Sequence, residues 1–154
     1  MQVAVWDRIG WKGKPKKKEA AVELPAAGSA AADAAENKLL SSRGGVVGLH
    51  SDAEWATALA LTKSHPEIAM IVDFTAVWCG PCQKIAPDFA RLAKEHPTAL
   101  FVKVDVDELE DVSQEAGIMA MPTFQVYKSG SKAEEMSGAN VDKLEAFVKK
   151  AATT

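Results

Sequence analysis

An α/β sandwich built on a mixed sheet is the fold the sequence predicts, and three observations carry it. Ile68 to Phe74 is apolar on both faces with one interruption, Asp73, the pattern of a central strand covered by helices on both sides. Thr98 to Val106 alternates, with Leu100, Val102, Val104 and Val106 on one side and Phe101, Lys103 and Asp105 on the other, which is a second strand. Helical spacings separate the strands and a hairpin follows them, so the order after Gly45 reads β-α-β-α-β-α-β-β-α.

The elements follow in order. Val46 to Leu49 is a short strand. Ser51 to Glu54 has the spacing of a capping box, and the helix it opens places Trp55, Ala58, Leu59 and Thr62 on one face. His65-Pro66 ends that helix, because the residue before proline is pushed out of the helical region. Cys79 to His96 is helical with Pro87 inside, where a missing N–H and the ring predict a kink. Glu108 to Ala116 is a short helix stopped by Gly117. Thr123 to Tyr127 and Ala133 to Met136 are strands joined across Ser129-Gly130-Ser131. Asn140 can cap a final helix that aligns Leu144, Phe147, Val148 and Ala151, with Lys149 and Lys150 suited to its C-terminal dipole.

The 154 residues suffice for one domain and a tail rather than two domains. The division expected is an N-terminal extension, 1–44, and a domain, 45–154. Hydrophobic residues at 47% and charged residues at 25% exclude a wholly disordered or fibrous chain. Net charge is -3 and selects no partner, so no nucleic acid is expected, yet residues 1–45 hold eight Lys/Arg against five Asp/Glu. From Ala20 to Ala35 nine of sixteen residues are Ala, which offers little area to bury and reads as linker or weak helix. Trp6 and Trp11 stand before the basic run Lys12 to Lys18. Shallow membrane contact, packing on the domain, a targeting segment and a solvated arm are all open for this tail. Cytoplasm is the expected compartment, with organelle or membrane association through residues 1–44 as the alternative.

The two cysteines, Cys79 and Cys82, stand after a strand and at the start of a helix. There the unpaired backbone N–H groups and the helix dipole stabilise a thiolate, so Cys79 is the attacking residue. Its sulfur would open a substrate disulfide to give a mixed disulfide, which Cys82 resolves. Pro81 takes an early helical position where no donor is needed, and Gly80 lets another chain approach. A structural zinc site needs four ligands, and His50, His65 and His96 supply no paired spacing, so neither metal nor organic cofactor is expected. Asp73, six residues before Cys79 on the most apolar strand, should have a raised pKa and exchange a proton near neutrality.

Trp78-Cys79-Gly80-Pro81-Cys82, preceded by Val72-Asp73-Phe74 and followed by Met121-Pro122-Thr123-Phe124 and Ser137-Gly138-Ala139, resembles the thioredoxin family, in particular its h-type eukaryotic members. The likeness spans about residues 46–151 and leaves the tail uncovered. It implies the thioredoxin fold, a five-stranded mixed sheet of order 1-3-2-4-5 flanked by four helices, with strands 4 and 5 antiparallel. It implies a protein-disulfide reductase serving redox homeostasis, acting on disulfide-containing proteins as a monomer. NADPH-dependent thioredoxin reductase is the implied donor, ahead of a ferredoxin-dependent one.

The same resemblance assigns Asp73 to taking the proton from Cys82, with Lys103 as its electrostatic partner. It makes Pro122 a cis-proline that presents the Met121 backbone to an extended substrate, and it completes the docking surface with Trp78, Gly80, Pro81, Gly138 and Ala139. The sequence departs from the family at Thr75, where bacterial members have tryptophan, at Val77, where a polar residue is frequent, and at Gln83, where Lys or Arg usually follows the second cysteine. A docking or chaperone module on the same framework is the competing reading, and the intact cysteine pair weakens it.

Overall fold

The computed structural model describes residues 29–153; Trp6, Trp11, the Lys12–Lys18 run and the N-terminal part of the alanine-rich stretch lie outside them. The elements are α1 (Ala30–Ser41), β1 (Val46–Leu49), α2 (Asp52–Ser64), β2 (Met70–Thr75), α3 (Gly80–Glu95), β3 (Leu100–Asp105), α4 (Glu110–Glu115), β4 (Thr123–Lys128), β5 (Ser131–Ser137) and α5 (Val141–Thr153). One sheet has the order β1-β3-β2-β4-β5, with β1, β3 and β2 parallel and β4 and β5 antiparallel, as the resemblance implies.

Five helices flank the sheet among the described residues where four were expected, because Ala30–Ser41 is itself helical. Alanine loses no side-chain entropy in a helix, and the Ser29 hydroxyl caps this one by accepting from the Ala32 N–H at 3.2 Å. The helix buries Leu39 in the cluster that holds Leu49 and Trp55, and Glu36 meets His65 Nε2 at 2.9 Å.

The Ser51 hydroxyl caps α2 by accepting from the Glu54 N–H at 3.1 Å. The Glu54 carboxylate reaches back to the N–H of His50 at 2.6 Å, one residue before the cap. Leu61, rather than the expected Leu59, completes the buried face with Trp55, Ala58 and Thr62; Leu59 is half-buried. Thr62 tolerates full burial because its hydroxyl donates to Leu59 O at 2.7 Å and accepts from the Gly130 N–H at 2.8 Å.

Strand β2 begins at Met70 rather than Ile68 and β3 at Leu100 rather than Thr98, and two further boundaries differ from the sequence expectation for a visible reason. The short helix α4 starts at Glu110 rather than Glu108, since no side chain caps it at Leu109. The hairpin has a two-residue turn, Ser129-Gly130, both at positive φ (51° and 80°), which pairs Lys128 directly with Ser131 and lengthens β5 to Ser131–Ser137. Such a turn follows the twist of the strands it joins. Helix α3 runs on through Pro87 to Glu95.

Side chains alternate across the sheet. One face of it packs Met70, Val72, Phe74, Val102 and Val104 against α2 and α4 residues such as Trp55 and Val112. The other face packs Ile71, Phe101, Phe124 and Val126 against Ile85, Phe89 and Leu92 of α3 and Leu144 and Val148 of α5. Asp73 and Lys103 belong to this second face, two residues along their strands from Ile71 and Phe101. The site therefore begins where the apolar packing stops.

Candidate functional site: a disulfide at a helix N-terminus

Cys79 is the N-cap of α3, and its sulfur accepts from the Cys82 N–H at 3.2 Å. The backbone makes this cap because Cys79 N–H is turned back to Ala76 O at 3.1 Å while Cys79 O takes the first helical bond, from Gln83 N–H at 3.2 Å. Pro81 sits in the first turn, where its missing donor costs nothing. Cys79 and Cys82 are joined as a disulfide with their Cα atoms 5.3 Å apart. Cys82 is 1% exposed and Cys79 6%, so the sulfur at the helix tip is the more accessible of the two. Nothing lies within 4 Å of where a Cβ would stand on Gly80, which leaves that flank clear for another chain.

Asp73 is 3% exposed, and its Oδ1 has no hydrogen-bond partner among the described residues. Burial lifts its carboxyl from 3.8 to about 7, against the pull of the Lys103 ammonium in the opposite direction. The two residues are directly paired in the β2–β3 register. They line a cleft of about 270 Å³ together with Ala76 and Gln83 from the segment around the disulfide, and with Gly48, His50 and Glu108 farther along. The expected acid and its cation thus share one cleft.

The Met121–Pro122 peptide is cis, and Pro122 O accepts from the Gly138 N–H at 2.9 Å. That bond brings together two stretches of the expected docking surface, Met121-Pro122 and Gly138-Ala139. Trp78 is 57% exposed, and its indole N–H donates to Asp107 Oδ2 at 2.8 Å, which ties the ring to the loop after β3.

Sequence reasoning missed several of these residues. Asp107 gave no signal, since its partner lies 29 residues away and no local spacing links them. Met121 is half-buried on the core, whereas Met119 is 59% and Val77 78% exposed, so among the described residues the large apolar side chains open to a partner are Val77, Trp78 and Met119. Gln83, which stands in place of a cation, donates from Nε2 to Ala76 O at 3.3 Å and so braces the turn into α3. Among the described residues no helix is long and apolar enough to cross a membrane.

A dithiol at a helix tip gives up two electrons when it closes to a sulfur–sulfur bond, and takes up two when that bond is reduced. This places the protein in the class of protein dithiol–disulfide oxidoreductases. The model of the family described as Thioredoxin matches residues 46–150. Over 108 residues the chain is 48% identical to the "Thioredoxin H-type" of Chlamydomonas reinhardtii, covering 70% of this chain and 95% of that one. It is 42% identical over 107 residues to the "Thioredoxin H-type" of Oryza sativa subsp. indica, covering 70% and 87%. The crystal structure of thioredoxin NaTrxh from Nicotiana alata superposes with a TM-score of 0.66 at 40% identity, over 69% of this chain and 91% of that one. The chain belongs to the thioredoxin family. It reduces disulfides of protein substrates through Cys79 and Cys82 and is itself reduced by a thioredoxin reductase.

Proposed function

We propose that Cys79 is the attacking thiolate, that Cys82 resolves, and that Asp73 is the base that makes resolution fast. The observation that carries this is the capped disulfide: one sulfur is stationed at the α3 N-terminus, with its partner one helical turn inward. Cys79 Sγ⁻ attacks a substrate sulfur, which forms the mixed disulfide and expels the other substrate sulfur as thiolate. Asp73 takes the Cys82 proton; the Cys82 electron pair forms the Cys79–Cys82 bond, and the pair of the broken bond leaves with the substrate sulfur. The carboxyl value near 7 lets Asp73 both accept and release that proton at neutral pH. Lys103 keeps the value from climbing further.

Trp78, Gly80, Pro81, Met121, Pro122, Gly138 and Ala139 receive an extended stretch of substrate, whose backbone pairs with the cis-proline loop. The exposed Val77 and Met119 widen that platform. The donor is the NADPH-dependent reductase and the working form is a monomer, readings supported by the likeness to h-type members. Residues 1–44 take no part in sulfur exchange, and the protein works in the cytoplasm. The charge asymmetry of the extension gives it a separate surface character, and a fluorescent fusion with and without residues 1–28, which keeps the helix Ala30–Ser41 on the domain, tests its role in localisation: different distributions would assign it a targeting function.

The decisive comparison is insulin reduction with dithiothreitol by wild type and Cys82→Ser. The variant is expected to lose turnover and to hold its substrate as a mixed disulfide at Cys79. Negligible wild-type activity, with partner binding unchanged in the variant, would make the protein a docking module instead.

A further inference from the structure

The proton that Asp73 accepts has to leave a nearly sealed site, and the cleft beside it provides an exit. Gly48, Lys103 and Asp73 form one row across β1, β3 and β2. Gly48 has no side chain to place in that row. The space is filled from two residues farther on: a Cβ on Gly48 would meet His50 Nε2 at 3.0 Å, His50 Cε1 at 3.3 Å and Lys103 Cε at 3.9 Å. The imidazole therefore lies against the β1 backbone at the rim of the cleft that contains Asp73. Its other nitrogen is occupied, for His50 Nδ1 is 2.9 Å from Glu108 Oε1. A carboxylate on Nδ1 favours the proton there and leaves Nε2, the ring nitrogen beside Gly48, with a lone pair to accept a proton.

We propose that His50, oriented by Glu108, carries protons between Asp73 and solvent during turnover. The inference rests on the reading of Asp73 as the base. Asp73 can take the Cys82 proton only once it is itself unprotonated, so before resolution the Asp73 O–H bond breaks and an N–H bond forms at Nε2, through water in the cleft. The imidazolium then releases a proton to bulk solvent, toward which its ring is 65% exposed. No electrons move. His50 touches neither sulfur and acts only through Asp73.

The charged groups facing this path are Lys103 and Asp105 from β3, Glu108 from the following loop, and Glu54 from α2, whose carboxylate accepts from the His50 N–H. Lys103 is the nearest rival carrier, but an ammonium has no lone pair with which to accept a proton.

The test is single-turnover reduction of a disulfide peptide by the fully reduced chain between pH 5.5 and 8.5, in a buffer free of imidazole and at low concentration. His50→Gln is expected to slow the resolution phase by roughly ten-fold. Added imidazole should restore that rate in proportion to its concentration, while wild type should not respond. Glu108→Gln should show a smaller loss with the same imidazole response. A His50→Gln rate equal to wild type overturns the proposal, and so does a slow variant that imidazole fails to rescue, because a purely structural role predicts no rescue. Asp73→Asn, run alongside, should be slow with or without imidazole. If it is not slow, the reading of Asp73 itself fails, an outcome distinct from failure at His50.

Discussion

The sheet face covered by α3 and α5 has two halves that share strands and helices and yet do opposite things. In one half Phe89 packs at a tilt against Phe101 and Phe124 at centroid distances of 5.2 and 5.5 Å, within a buried apolar cluster. In the other half, two residues along β2 and β3, Asp73 and Lys103 replace Ile71 and Phe101, Gly48 removes a side chain, and a cleft opens. The dry half supplies the stability that lets the wet half hold a carboxyl in an environment that opposes its charge. Because the two are contiguous on rigid strands, the carboxyl is fixed in place instead of turning out to solvent.

Breaking the dry half should have the largest effect. Phe89→Ala removes a side chain 1% exposed between two aromatic rings, and should lower unfolding free energy by about 3–5 kcal/mol in urea titrations. It should leave the alkylation pattern of the reduced cysteines unchanged wherever the protein is still folded.

Neutralising the wet half should do the reverse. Since the Asp73 value is raised from 3.8 to about 7, the native chain binds its proton more tightly than the unfolded chain between those values. Wild-type stability then falls as pH rises through that window, while Asp73→Asn lacks this slope. The variant should match wild type near pH 4 and exceed it by roughly 2–4 kcal/mol at pH 8, while turning over more slowly. Parallel stability curves across this range would show that Asp73 is not held at an elevated value.

The smallest effect is expected at the rim. Asp107→Asn keeps an oxygen for the Trp78 indole but removes the charge from that bond, so stability should change by under about 1 kcal/mol. A rise in substrate KM with kcat unchanged would show that the ring is being positioned for docking.

The two halves also differ in how far the sequence discloses them. The dry half is legible because it is periodic: alternation along β3, the run Ile68–Phe74, and the face Leu144, Val148 and Ala151 of α5 each follow from side-chain spacing. Asp73 is legible as the one charge in an apolar strand, and the cysteine pair from its place at a strand-to-helix turn. His50, Glu108 and Asp107 are not legible, since they are brought to the site by register and loop path and carry no local pattern. Leu61 more deeply buried than Leu59 is a miss of another kind: both leucines pack on the same cluster, and their spacing from Trp55 and Ala58 does not say which goes deeper. For α1 the sequence leaves linker and weak helix both open, because alanine signals helix without signalling what the helix would bury.

Everything in the wet half serves one sulfur at the tip of α3. Timed alkylation of the reduced chain with iodoacetamide from pH 5 to 9, with peptide mapping, examines that sulfur directly. Modification should fall on Cys79 first, with appreciable rate already at neutral pH, while Cys82 stays protected. If Cys82 reacts first, or if both thiols react only as slowly as an unperturbed cysteine, the assignment of Cys79 as the nucleophile is wrong.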